Sequence, residues 1–241
     1  MTGWIFKNKR WVLLSWLGLT IMVVIAFVNF VAAEGEIGES NPEDILWEWA
    51  GEQGKYGFGL NMTATGDLNQ NGEEEEYQLE AGCLKVQEAG KLLWKSPEDY
   101  YVIQFQLGDV TGDGRDNLIL NLWKRGSFDR SIPFWHRDDE NSFQREVDQK
   151  SVKNHLFVQE LRGEHMMDTW CSSQLARPIV SFELVDSDEA PGGKQDLLVS
   201  EGRYEKINTY SYVIDERSLE GEKEYVESRI MTWNQWGFYE K

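Results

Sequence analysis

The chain has 241 residues, a formal net charge of −18 and a mean hydropathy of −0.53, with 41% hydrophobic and 13% aromatic residues. That acidity disfavours nucleic acid and anionic lipid as partners, because both repel a protein of the same sign.

Residues 1–10 end in Lys7, Lys9 and Arg10, and the run from Trp11 to Ala33 carries no charge. A helix of that length crosses a hydrocarbon core of roughly 30 Å. The basic flank and the acidic residues that follow (Glu34, Glu36, Glu39, Glu43, Asp44) orient the segment with its N-terminus inside the cell membrane and residues 34–241 outside. Cleavage near Ala33 is the alternative, since Val31-Ala32-Ala33 is a small-residue site. The apolar run exceeds the usual signal-peptide core, which favours a retained signal-anchor at 11–33. The outer part holds all 42 Asp and Glu but 21 of the 24 Lys and Arg, a formal charge of −21. Residues 34–44 read as a polar linker, and 45–241 as one domain. Ile45-Leu46-Trp47-Glu48-Trp49 alternates like a strand and is predicted to pair with the C-terminal strands at Trp233 and Trp236, closing a sheet edge.

Inside that domain one phrase recurs. Asp109, Thr111, Asp113 and Asn117 place oxygen-bearing side chains at positions 1, 3, 5 and 9 of a loop, with Gly114 at position 6. Hard cations take six to eight oxygens, and alternate residues of a tight loop face a common centre. Leu120 stands where an EF-hand needs a bidentate Glu, and the apolar run Leu118–Leu122 predicts a strand instead of a helix. Asp67, Asn69, Asn71, Gly72 and Glu75 repeat the pattern. The carbonyls of Arg115 and Glu73 supply the seventh position in each loop. A looser third copy runs through Asp186, Asp188, Gly192-Gly193 and Asp196, with two extra residues and Pro191 spoiling its spacing. The competing reading is a set of turns in which Asp and Asn bond their own backbone and hold no ion.

After each copy come further strands, one of them bearing Trp: Cys83–Val86 and Leu92–Trp94, then Leu156–Val158 and Met167–Trp170, then Ile230–Trp233 and Trp236–Tyr239. Four short strands per repeat describe a propeller blade. The loops resemble the FG-GAP/VCBS repeats of integrin-alpha heads and bacterial secreted proteins, whose signature is Asp-x-(Asp/Asn/Thr)-x-Asp-Gly-x-x-Asp before an apolar strand. Residues 108–118 match it with Asn117 replacing the last Asp, and residues 66–75 match it with Asn71 and Glu75 as substitutions. The resemblance covers about residues 45–241. It implies calcium-stabilised blades, with Ca²⁺ bound, and a binding role. With the three loop copies and the apolar run at 11–33, the expected chain is all-β: a small β-propeller or propeller-like array of about three to four four-stranded blades, preceded by one transmembrane helix.

Loop starts lie closer together between Asp67 and Asp109 than between Asp109 and Asp186, and the excess falls in an insertion near residues 126–154. Its Phe134, Trp135 and Arg137 suit a partner surface, or the aromatics cap a blade. A second insertion, 203–229, reads as a polar solvated loop, although the alternation of Tyr210, Tyr212 and Ile214 allows extra strands. Cys83 and Cys171 fall in neighbouring repeats, which permits a disulfide or two buried thiols.

Catalytic patterns are missing from the sequence. His136, His155 and His165 are scattered, no Gly-x-Ser-x-Gly elbow or phosphate loop occurs, and consecutive carboxylates at Glu73–Glu76 point to opposite faces of a strand. The favoured expectation is a membrane-anchored binding module with calcium-braced blades, recognising a protein or an envelope polysaccharide. The alternatives are an envelope polysaccharide-acting enzyme and a structural subunit that completes a larger membrane complex.

Overall fold

The computed structural model describes residues 61–126, 147, 149–188 and 193–241. The chain divides into two compact units, Met1–Asn41 and Pro42–Lys241, and all described residues belong to the second. The membrane segment 11–33, the linker, the strand at Ile45–Trp49 and the surface residues Phe134, Trp135 and Arg137 lie outside the described residues. Among the described residues no helix is long and apolar enough to cross a membrane.

The described chain is all-β, as expected, with little helix. Three four-stranded antiparallel sheets follow one another. The first contains β1 (Met62–Gly66), β2 (Glu75–Glu80), β3 (Cys83–Glu88) and β4 (Lys91–Lys95) in sequence order. The second contains β5 (Tyr101–Gly108), β6 (Asn117–Arg125), β7 (Val152–Arg162) and β8 (His165–Cys171). β9 (Ile179–Asp186) and β10 (Gln195–Glu201) begin the third. It is completed by β13 (Glu227–Asn234) and β14 (Gly237–Glu240), after an excursion holding the hairpin β11 (Tyr204–Lys206) and β12 (Tyr212–Ile214) and helix α1 (Glu216–Leu219).

Burial explains why these strands differ in pattern. β2 alternates buried and exposed residues, because only one face of the first sheet meets a described neighbour. Tyr77 and Leu79 point inward there, while Glu76 and Gln78 face water. β6 is buried on both faces from Asn117 to Trp123. Its Leu118, Leu120 and Leu122 pack with Leu79, Val86 and Phe105 toward the first sheet, and Ile119 packs with Phe182, Leu197 and Val199 toward the third. A strand clamped between two layers is a continuous apolar run, and each buried leucine contributes roughly 1.5–3 kcal/mol.

The first strands of the three sheets lie side by side, β1 against β5 and β5 against β9. A methyl group added to Gly66 would sit 2.9 Å from Leu107 Cδ1, and one added to Gly108 would overlap Gln195 and Leu184. The last residue of the first strand therefore makes the same close approach to the next sheet in both repeats. Between β5 and β9 two glutamines complete the join. Phe182 N–H donates to Gln104 Oε1 at 3.0 Å and Leu184 N–H to Gln106 Oε1 at 3.1 Å. Both glutamine amides donate to Phe182 O, at 2.7 and 2.9 Å. These bonds satisfy the open backbone of an edge strand that would otherwise invite foreign pairing.

The 203–226 excursion differs from the expected solvated loop. Ile214 is buried with Tyr101, Ile103, Trp123 and Val152, and Tyr204, Tyr212 and Leu219 pack against that cluster. Tyr204 meets Trp123 edge to face at 5.8 Å. The charged residues of the excursion mask an apolar face spaced by the strand period of two. Cys83 and Cys171 are both free, half-buried thiols. Burial first, and the charge of Asp168 second, push the Cys171 thiol up to about 12, so it stays protonated.

Candidate cation-binding loops

The phrase found in sequence occupies one place in the architecture, the turn from first to second strand of each sheet. Strand register defines its frame. Gly66 pairs with Glu75, Gly108 with Asn117 and Asp186 with Gln195, which leaves eight residues in every turn: 67–74, 109–116 and 187–194. The first two copies keep the predicted numbering. The third shifts by one: Ser187 stands where Asp67 and Asp109 stand, Pro191 takes position 5, and Gly192 takes position 6. Asp186 is the last strand residue and Asp196 lies within β10, so neither occupies the loop position expected of it.

In the second loop Asp109 organises the turn. Its Oδ1 accepts from Gly112 N–H at 2.6 Å and from Thr111 Oγ1 at 3.4 Å, and its Oδ2 accepts from Gly114 N–H at 2.8 Å. Asp113 Oδ1 accepts from Arg115 N–H at 3.0 Å. Gly114 has φ of +81°, a conformation that side chains resist, and a methyl group there would meet nothing within 4 Å. Its glycine is thus required by backbone conformation and not by space. Asn117 closes the loop at 2% exposure, and its Oδ1 has no hydrogen-bond partner among the described residues. Among the described residues no Lys or Arg forms an ion pair with Asp109, Asp113 or Asp116. Partial desolvation, then the charge of Asp109, hold the Asp116 carboxyl above its ordinary pKa.

The first loop repeats two of these bonds. Gly72 N–H donates to Asp67 Oδ2 at 3.0 Å, and Glu73 N–H donates to Asn71 Oδ1 at 2.7 Å. Asp67 Oδ1 and Asn69 Oδ1 both accept from Asn71 N–H, at 3.0 and 2.9 Å. Glu88, at the end of β3, accepts from the amide nitrogens of Asn69 and Asn71 at 2.9 and 2.7 Å. An amide that gives its nitrogen to Glu88 turns its oxygen the other way, so Glu88 orients two candidate ligands at once. Sequence reading missed Glu88; its only signal is the register that sets it opposite Glu75. Glu75 is fully buried and already occupied, accepting from Leu68 N–H at 2.8 Å and Asn69 N–H at 3.3 Å. The side chains beside it raise the Tyr77 hydroxyl far above its ordinary pKa, burial first and Glu75 second.

The third loop is chemically different. Asp196 is buried, accepts from Thr232 Oγ1, and lies 3.7 Å from Lys241 Nζ. Asp188 lies 3.8 Å from the same ammonium. Lys194, at position 8, donates to Trp233 O at 2.6 Å. Protein cations stand here in place of unpaired acids.

The donor sets give a fit test for calcium. The loop at 109–116 fits, because it combines unpaired carboxylates with a buried amide oxygen that lacks a partner. The loop at 67–74 fits through Asp67, Asn69 and Asn71, with Glu75 committed to backbone N–H groups. The loop at 187–194 does not fit: Pro191 offers no side-chain oxygen and two lysines stand nearby. No described group brings together three or more His, Cys, Asp or Glu side chains at metal-binding distance, so amide, hydroxyl and carbonyl oxygens would have to complete either site.

His155 shows no site chemistry. It is buried beside Phe157, its Nδ1 is 3.1 Å from Ser172 O, and burial lowers its pKa to about 4, so it is neutral at pH 7. Glu75 and Glu76 face opposite sides of β2, which removes the adjacent pair as an acid–base couple.

Fold and loops together define a class: an all-β domain of repeated antiparallel meanders, each opened by an eight-residue turn between its first two strands. No protein-family model, curated protein or solved structure matches this chain.

Proposed function

We propose that the chain is an extracytoplasmic binding module, held at the membrane by residues 11–33, whose propeller-like FG-GAP/VCBS-type blades are braced by calcium. The observation that carries the calcium reading is Asn117 Oδ1, buried at position 9 and without a partner. A buried amide oxygen left unsatisfied costs about 1–3 kcal/mol, and a cation in the loop would remove that cost. Asp109, Thr111, Asp113, Asn117 and the Arg115 carbonyl would hold one ion. Asp67, Asn69, Asn71 and the Glu73 carbonyl would hold another, with Glu75 beside it. When bound, calcium supplies positive charge that offsets Asp109, Asp113 and Asp116 and ties the turn to both strands. The second loop's ligand set carries two side-chain charges and the first loop's carries one, with Glu75 beside it, which keeps the dissociation constants near 10⁻⁴–10⁻³ M or weaker, roughly those of extracellular modules.

The binding role is supported by the frame: three four-stranded sheets, with their first strands side by side, present the turns between their strands. A protein or an envelope polysaccharide is the partner class. Calorimetric titration of the full chain with calcium, beside Asp109→Ala and Asp67→Ala, tests the reading. Expected are heat of binding and a raised melting temperature in the parent, with one site lost in each variant. No heat and no shift at millimolar calcium would refute the bracing role.

A further inference from the structure

The excursion from the third sheet returns to the second. Val152 N–H donates to Tyr210 O at 3.0 Å, and Val152 bridges Ser211. This contact sets Tyr204 and Tyr212 beside the start of β7, with their rings edge to face at 5.8 Å. Lys153 Nζ lies 4.4 Å from the Tyr212 centroid and 5.7 Å from that of Tyr204. Lys206 Nζ lies 5.9 Å from the same Tyr212 ring. Among the described residues neither Lys153 nor Lys206 forms an ion pair with a carboxylate. Lys153 is also the register partner of Lys124, so two like charges stand opposite each other across β6 and β7. Such pairs weaken a sheet. In a chain with 42 acids against 24 Lys and Arg, composition alone would give these lysines acidic partners.

We propose that this lysine–tyrosine strip binds the carboxylates of an acidic polysaccharide. The proposal names a ligand class for the binding module proposed above and rests on that reading. Cation–π contact holds an ammonium in place without using its N–H groups, so Lys153 and Lys206 keep N–H donors for an incoming anion. Both ammoniums lie beside one ring, that of Tyr212. Duplex nucleic acid, with a charge every 1.7 Å or so, is repelled by a chain of net charge −18. A glycan with one carboxylate per sugar is a sparser polyanion, and its C–H groups suit aromatic ring faces.

The test titrates the full chain with polyglucuronate in low-salt, calcium-free buffer, with neutral dextran and single-stranded DNA as comparators. Polyglucuronate is expected to bind and dextran not to. Affinity should fall about tenfold in Lys153→Glu/Lys206→Glu, and stay unchanged in Lys85→Glu/Lys95→Glu, a double charge reversal of the same size on β3 and β4. Lys153→Gln alone guards against misfolding of the double variant; it should lose affinity about threefold with an unchanged melting temperature. No binding by the parent, or equal binding by the double variant, overturns the proposal. DNA binding as tight as glycan binding also overturns it, by showing a non-selective cation patch. Calcium calorimetry on the same variants should match the parent, so a failure of the strip is distinguishable from a failure of the calcium loops.

Discussion

The turns at 109–116 and 187–194 solve one structural problem in two ways. Both join the first two strands of a sheet with eight residues. Among the described residues, the earlier turn gathers Asp109, Asp113 and Asp116 with no protein cation and leaves a buried amide oxygen unpartnered. The later one loses the acids at positions 1 and 5, and the nearby Asp188 and Asp196 face Lys241. Charge in a tight turn must be balanced, and the protein supplies the balance itself only where lysines are in reach. The first turn is intermediate, acidic at Asp67 but internally bonded through Glu88 and Glu75.

Breaking the organising acid should have the largest effect. Asp109→Ala removes the acceptor for Gly112 and Gly114 N–H, and is expected to cost roughly 2–3 kcal/mol in chemical denaturation with calcium present. It should also erase that loop's calcium response. In the lysine-balanced turn, Lys241→Ala should cost about 1 kcal/mol, by weakening the pairing of buried Asp196 while Thr232 still donates to it. That loss should be identical with and without calcium; a calcium-dependent loss would erase the contrast between the turns. Glu88→Ala releases the Asn69 and Asn71 amides, and should weaken calcium at the first loop by about tenfold while leaving the second untouched.

The smallest effect is a test of sign. Asp116 has a folded pKa above its unfolded value, so its charged form destabilises the fold. The penalty is absent at pH below the unfolded pKa and develops as pH rises through the folded one. Asp116→Asn should therefore stabilise the calcium-free chain at pH 7 by a few tenths of a kcal/mol, discounted for solvent screening, and have no such effect near pH 3. Denaturant melts at the two pH values check it.

Much of this contrast was legible in the sequence. Alternate oxygens around Gly114 and Gly72 marked both acidic turns, and the strands after them fall where apolar and aromatic runs predicted. The third turn was misframed, because Asp186 and Asp188 copy the spacing of a ligand pair by chance. Position 2 held the missed signal: Leu68 and Val110 are buried plugs, and the residue in their place, Asp188, is exposed. Residues 203–229 misled for a different reason. Arg203, Glu205 and Lys206 make the segment read as solvated, while Tyr204, Tyr212 and Ile214 turn inward on Trp123 and its neighbours. Glu88 and the Gln104–Gln106 join to β9 are tertiary contacts that no local pattern announces.

The central proposal is that the turn at 109–116 holds a cation, and Asn117→Asp tests it most directly. Thermal melts of parent and variant would be run with chelator and with millimolar calcium. The account predicts that the extra carboxylate lowers the melting temperature in chelator, where it adds a buried unpaired charge, and raises it above the parent in calcium. A variant less stable than the parent under both conditions would contradict it, and the loop would then be a turn that holds no ion.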